Sequence, residues 1–176
     1  DARGQSNWTP DLFNEFQTCR GYDLRNHLPD LFAGGESEIS KRILCDYRET
    51  ISDLLLEEFT IIWDTWAKSK NAITRNQAHG SPANIIDLYA ASGIPETEGE
   101  DLLALKFASS AANISGKMLT SAETATWLDD HFLASLEDIK RRVDDYFIAG
   151  VNHIVYHGTT FSPPDETWPG WIFYAS

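Results

Sequence analysis

From residue 73 onward the chain repeats one alternation: a short apolar run, a burst of polar side chains, then a helical pattern. Ile73-Thr74 opens into Arg75-Asn76-Gln77-Ala78-His79, and Ile94-Pro95 opens into Glu96-Thr97-Glu98. Lys117-Met118-Leu119-Thr120 opens into Ser121-Ala122-Glu123, and Asn152-His153-Ile154-Val155-Tyr156 opens into His157-Gly158-Thr159. Strand-length runs that alternate with helices read as β/α units, whose strands are parallel because each crossover helix returns the chain to the same end of the sheet. Parallel strands share one carboxyl-terminal rim, and parallel α/β folds keep their sites there.

The segment before this rhythm reads as helical. Thr9-Pro10 has the form of an N-cap followed by a first-position proline, so a helix carrying Leu12, Phe13 and Phe16 is expected to run to Gly21. Residues 22–36, with Pro29 and Gly34-Gly35, read as a loop. From Ile39 the apolar residues Ile43, Leu44, Tyr47, Ile51, Leu54, Leu55, Phe59, Ile62, Trp63 and Trp66 recur at three- and four-residue steps, which predicts one long helix over 37–70. Among the β/α units, Ser81-Pro82 is expected to start a helix that ends at Gly93, and a second helix spans about 102–114 before Gly116. Ser135-Leu136-Glu137-Asp138 has the form of a capping box, with Leu136, Ile139, Val143, Tyr146 and Phe147 as the expected buried face.

A chain of 176 residues fits a single domain. The predicted architecture is α/β: about four β/α units, over 73–176, preceded by the helical lead-in of 1–72. Four units are half of a (β/α)8 TIM-type barrel, which takes about 250 residues, so the expectation is one section of such a catalytic domain. The remainder of the barrel and any flanking domains would then be partners. Half a barrel exposes strand edges and apolar helix faces, so poor stability is expected of the segment by itself. A net charge of −13 argues against nucleic acid or an anionic membrane surface as partner. No apolar run approaches the ~20 residues of a membrane span. Cys19 and Cys45 lack metal-ligand spacing and are expected to be buried free thiols.

The rim residues are the candidates for function. Glu96 and Glu98 lie on one side of a strand, where two carboxylates can raise one another's pKa or chelate a hard cation; the other reading is a solvated loop edge. Glu123, just beyond its apolar run, suits a general base, or favours the start of a following helix. Arg75, Gln77 and His79 alternate to one side and suit sugar hydroxyls or carboxylate oxygens, or else a buried polar network. His153 and His157, four apart on one side, could bind zinc, hold substrate or simply pack. Trp168 and Trp171, in a proline-rich tail, are expected to be exposed or folded over the rim.

The strings 75–84, 94–98, 106–112, 121–124, 150–159 and 168–176, in this order and spacing, resemble glycoside hydrolase family 106 over nearly the whole chain. The resemblance implies an α-L-rhamnosidase built on a (β/α)8 barrel, acting on terminal α-L-rhamnosyl linkages of oligo- or polysaccharides with inversion, and dependent on calcium. It implies that Glu123, in Ser121-Ala122-Glu123, is the catalytic base and Glu98 a further catalytic carboxylate. Arg75, Gln77, His79, Glu96, Trp127, His153 and His157 would bind substrate, while the metal ligands stay unassigned. The family's general acid belongs to a motif just before Trp8-Thr9-Pro10, where this chain begins at Asp1. A bacterial periplasmic or extracellular location follows from the same resemblance. The alternatives are a carbohydrate-binding remnant without its acid, and a zinc-dependent barrel hydrolase.

Overall fold

A computed structural model describes residues 7–126, 133–157 and 163–167. Its centre is a four-stranded sheet of β1 (Arg75–Gln77), β2 (Ile94–Thr97), β3 (Ser121–Thr124) and β4 (His153–Tyr156) in that spatial order. Every neighbouring pair is parallel. Helices α5 (Ile85–Ala91), α6 (Leu102–Ile114) and α7 (Leu136–Ile148) connect the strands, as the alternation predicts. The register sets Gln77 beside Glu96, Glu96 beside Ser121 and Ser121 beside His153, one rung that crosses all four strands.

The lead-in folds as α1 (Leu12–Arg20), a 3-10 turn (Leu24–His27), α2 (Leu28–Phe32), α3 (Glu38–Leu54), a π-helical turn (Leu55–Thr60) and α4 (Ile61–Ser69). Three differences from the sequence reading stand out here. Helix α1 begins at Leu12, after a turn in which the Leu12 amide bonds the Thr9 carbonyl, so Thr9 is no N-cap. The 22–36 stretch carries two short helices, because the Asp23 side chain caps the turn and Leu24, Leu28 and Leu31 pack on Phe16 and Ile43. The long helix is continuous, starting at a Ser37 cap bonded by the Ser40 amide, but its interior contains the π turn. One extra residue in a turn rotates the following face by about 100°. That rotation brings Leu55 and Leu56 against the cluster of Leu88, Tyr89, Ala108 and Ala111, and leaves Phe59, Ile62 and Trp66 exposed.

Two cores lie behind the sheet. The first joins α5 and α6 to the π turn, and the second packs Leu105, Tyr146 and Ala149 onto Ala122 and Val151. A third cluster, around Phe16, holds the lead-in together. Helices α6 and α7 approach closely where the Ser109 hydroxyl donates to the Ala149 carbonyl at 2.6 Å. There Gly150 has φ 90°, and a Cβ on it would sit 3.0 Å from Ser109 Cβ, so both conformation and space require glycine.

Further expectations are corrected. Helix α5 starts at an Asn84 cap rather than at Ser81, whose amide closes a turn onto Ala78. The third strand is Ser121–Thr124, not 117–120. Met118 is exposed, and its carbonyl accepts from the Asn152 side chain instead of joining a ladder. Similarly, β1 begins at Arg75, after Ile73-Thr74. The capping box at Ser135 and Asp138 is present, yet Leu136 and Phe147 are exposed and α7 buries Tyr146. Both cysteines are exposed. Cys45 is two residues past buried Ile43, about 200° round α3, and Cys19 occupies the last turn of α1. Among the described residues no helix is long and apolar enough to cross a membrane.

Candidate active site

Strand alternation assigns Arg75 and Gln77, Glu96, Ser121 and Glu123, and His153 to the same face of the sheet, and carries His79, Glu98 and His157 on just beyond the strand ends. On that face each member of the Arg75, Gln77 and His79 series takes a different glutamate. Arg75 Nε is 2.5 Å from Glu96 Oε2. Gln77 Nε2 donates to Glu123 Oε2 at 2.7 Å. His79 Nε2 lies 3.0 Å from Glu98 Oε1. The Gln77–Glu123 bond joins β1 to β3 over the top of β2, a span of two strand spacings or about 9–10 Å on a flat sheet. The two side chains lean together above Glu96, so this face is concave.

Three tiers result. The deepest holds Glu96, which is 5% exposed and accepts from Arg75 and from the Ser121 hydroxyl at 2.9 Å. His153 Nδ1 lies 3.1 Å from that same hydroxyl, so one connected chain crosses all four strands. Glu123 forms the middle tier, its side chain 25% exposed. Gln77 holds one of its oxygens, and His157 Nδ1 approaches the other at 3.3 Å. A carboxylate offers about four lone-pair sites, so both oxygens keep capacity for a further donor such as a water. Glu98, paired with His79, is uppermost.

Thr126 Oγ1 lies 3.0 Å from His157 Nδ1. It reaches that atom because Ala125 adopts a left-handed conformation (φ 64°) directly after β3. Such strain in a residue with a Cβ persists only where surrounding contacts impose it, and it concentrates at functional sites. Tyr146 supports the same strand end from α7, its hydroxyl donating to the Gly99 carbonyl at 3.0 Å. Burial pushes the Tyr146 phenol above its ordinary value, so it remains a neutral donor.

The structure thus gathers Arg75, Gln77, His79, Glu96, Glu98, Glu123, His153 and His157 on one wall. Trp127, like Asp1, Trp168 and Trp171, lies outside the described residues. The sequence reading missed Ser121, Thr126 and Tyr146. Period-two alternation back from Glu123 would have found Ser121, whereas Thr126 carries no local signal and Tyr146 shows only as part of the buried face of α7. The two histidines do not converge, since one addresses Ser121 and the other Glu123. Among the described residues no three His, Cys, Asp or Glu side chains come together to hold a metal. The two histidines therefore form no zinc site among the described residues, and no step is assigned to a metal. A cavity of about 1190 Å³ lies between α1, α2, α3 and the loop at Ser81 to Asn84, and none of the three glutamates lines it. Its wall is mainly apolar, so shape and not chemistry sets it apart.

A parallel α/β sheet whose concave face carries three glutamates, each held by a donor from β1 or from just beyond it, has the groups that carboxylate acid–base chemistry on a polar ligand needs. The chain belongs to the glycoside hydrolase 106 family, described as alpha-L-rhamnosidase, which it matches over residues 2–175. It resembles a rhamnosidase structure from Novosphingobium sp. PP1Y with a TM-score of 0.70 and 26% identity over 89% of this chain. It is also 28% identical, over 171 residues and 92% of its length, to a provisionally named β-glucuronidase of Formosa agariphila. The chain spans only 14% and 16% of the lengths of the Formosa protein and the Novosphingobium chain.

Proposed function

We propose that this chain is one wall of the barrel of an inverting glycoside hydrolase that removes terminal α-L-rhamnosyl groups from glycans, with Glu123 as general base. The observation that carries the reading is the clamp on Glu123. Gln77 turns one oxygen toward the concavity, and the imidazole of His157 approaches the other. Donors on a carboxylate fix its direction, which a base needs to take a proton from water. Inversion requires a protonated acid on the far side of the scissile bond, about 6.5–9.5 Å from the base, so that a water fits beside the base. That acid would come from outside the described residues. The concavity of the described sheet, bridged by Gln77 over β2, is what a section of closing barrel requires.

The charges on this wall favour a neutral sugar over a uronate. Among its described residues Arg75 is the guanidinium, and it is already committed to Glu96. His79, beside Glu98, and the Arg75–Glu96 pair would then meet sugar hydroxyls. The test is Glu123→Gln in the full-length protein, assayed on an aryl α-L-rhamnoside. The expected loss in kcat is about 10²–10⁴, the usual contribution of one acid–base group, with KM unchanged. The wild type should release rhamnose first as the inverted anomer by proton NMR. Retained turnover in Glu123→Gln, or first release of the retained anomer, refutes the reading.

A further inference from the structure

Behind Glu98, three buried polar side-chain atoms have no hydrogen-bond partner: Nδ1 of His79, the hydroxyl of Tyr89 and the hydroxyl of Thr97. They come from three elements. His79 follows β1, Tyr89 reaches up from α5, and Thr97 ends β2 with its side chain on the opposite face from Glu96 and Glu98. Tyr89 is 0% exposed and Thr97 is 1% exposed, and Tyr89 packs on Ala78, the neighbour of His79. The Tyr89 hydroxyl faces the Thr97 hydroxyl and the main-chain amide of His79, and it senses the charges of Glu96 and Glu98. The two hydroxyls thus lie near one another without a well-formed bond between them. An unpaired buried polar atom is costly, and native folds hold only a few, so these three call for a partner that the protein itself does not supply.

We propose that Tyr89 and Thr97 hold one internal water against Nδ1 of His79, fixing the imidazole as the Nε2–H tautomer that donates to Glu98. Buried waters typically make about three hydrogen bonds to otherwise unpaired groups, the number available here. The directions balance. Both hydroxyls donate to the water, the water donates one hydrogen to Nδ1, and the ring proton is left on Nε2, 3.0 Å from Glu98 Oε1. Burial pushes the Tyr89 phenol up, so its proton stays available for this bond. A histidine's tautomer is set by the bond its other nitrogen makes, which makes Tyr89 and Thr97 positioning residues for His79 and, through it, for Glu98.

The kinetic half of the test rests on the glycosidase reading, while the crystallographic half does not. A crystal structure of the full-length protein should show a water within about 2.5–3.2 Å of all three atoms, and Thr97→Val should abolish it. On an aryl α-L-rhamnoside, Tyr89→Phe and Thr97→Val should each lower kcat about 2- to 12-fold, the equivalent of one net hydrogen bond, with KM unchanged. Thr97→Ser, which keeps the hydroxyl, should restore the rate. In a His79→Gln background neither Tyr89→Phe nor Thr97→Val should have any further effect, since both act through His79. A direct Tyr89–Thr97 bond with no water between, or losses that add in full to His79→Gln, would overturn the proposal. If the wild type hydrolyses no rhamnoside, the functional reading fails, and the position of the water still decides this one.

Discussion

Replacing Glu96 by Gln separates a structural carboxylate from a substrate-binding one. Glu96 is 5% exposed, and a single oxygen receives both Arg75 Nε and the Ser121 hydroxyl. Glutamine preserves the shape and can accept both donors through its carbonyl, so the change removes charge and little else. Hydrogen bonds to charged groups contribute about 1.5–3 kcal/mol and neutral ones about 0.5–1.5, a difference of about 1 kcal/mol per bond. The Arg75 side chain is 41% exposed, so water takes over part of its share and that contribution is discounted. The sum is about 1–2 kcal/mol. For a domain of roughly 150–250 residues each kcal/mol moves the melting point by about 2–4 °C, so Glu96→Gln should melt about 2–8 °C lower. Scanning calorimetry of the full-length protein, following the transition that removes the proposed glycosidase activity, measures the shift. KM should stay at the wild-type value, because a carboxylate already saturated by Arg75 and Ser121 has little left for a sugar. An unchanged melting point with KM raised about tenfold would refute the reasoning and return Glu96 to the substrate.

Two further outcomes follow from the joint between α4 and the sheet. Asp64 is buried; its burial alone would raise its pKa, but hydrogen bonds from Lys68 and Thr74 outweigh that and hold the carboxyl below its ordinary range. A depressed folded-state pKa contributes stability that is present above about pH 4 and is lost as pH falls through the folded value. Asp64→Asn should therefore lower stability by about 1–2 kcal/mol at pH 7, and the gap from wild type should close below about pH 4 in paired thermal melts. A gap that persists undiminished in acid would assign the loss to packing instead. At Gly93 a Cβ would meet Ile73 Cγ2 at 2.5 Å and the Thr74 carbonyl at 2.9 Å. Gly93→Ala should thus cost about 1–3 kcal/mol by overpacking, seen as a lower melting point, and an unshifted melt would show that the 73–74 backbone yields.

The local grammar of the chain was readable without coordinates. Apolar spacing announced α1, α6, α7 and the long helix, while Ser37, Ser135, Gly21 and Gly116 mark ends where the structure has caps or left-handed turns. Period-two alternation already assigned Arg75, Gln77 and His79 to one side, and Glu96 and Glu98 to one side. These features follow from neighbours within a few residues, which is the range over which helix and strand periodicities act. Tertiary structure decided who meets whom. Gln77 passes over β2 to Glu123, Glu96 turns inward to Arg75 and Ser121, and His153 and His157 part company. Tertiary contacts also moved β3 four residues along, inserted the π turn and left Cys45, Leu136 and Phe147 outside. Register, curvature and burial depend on residues tens of positions apart, so a pattern that tells which side a residue faces does not tell what stands opposite. Spacing thus named the carboxylates of this wall, and the curve of the sheet determined which is buried, which is clamped and which faces the histidine.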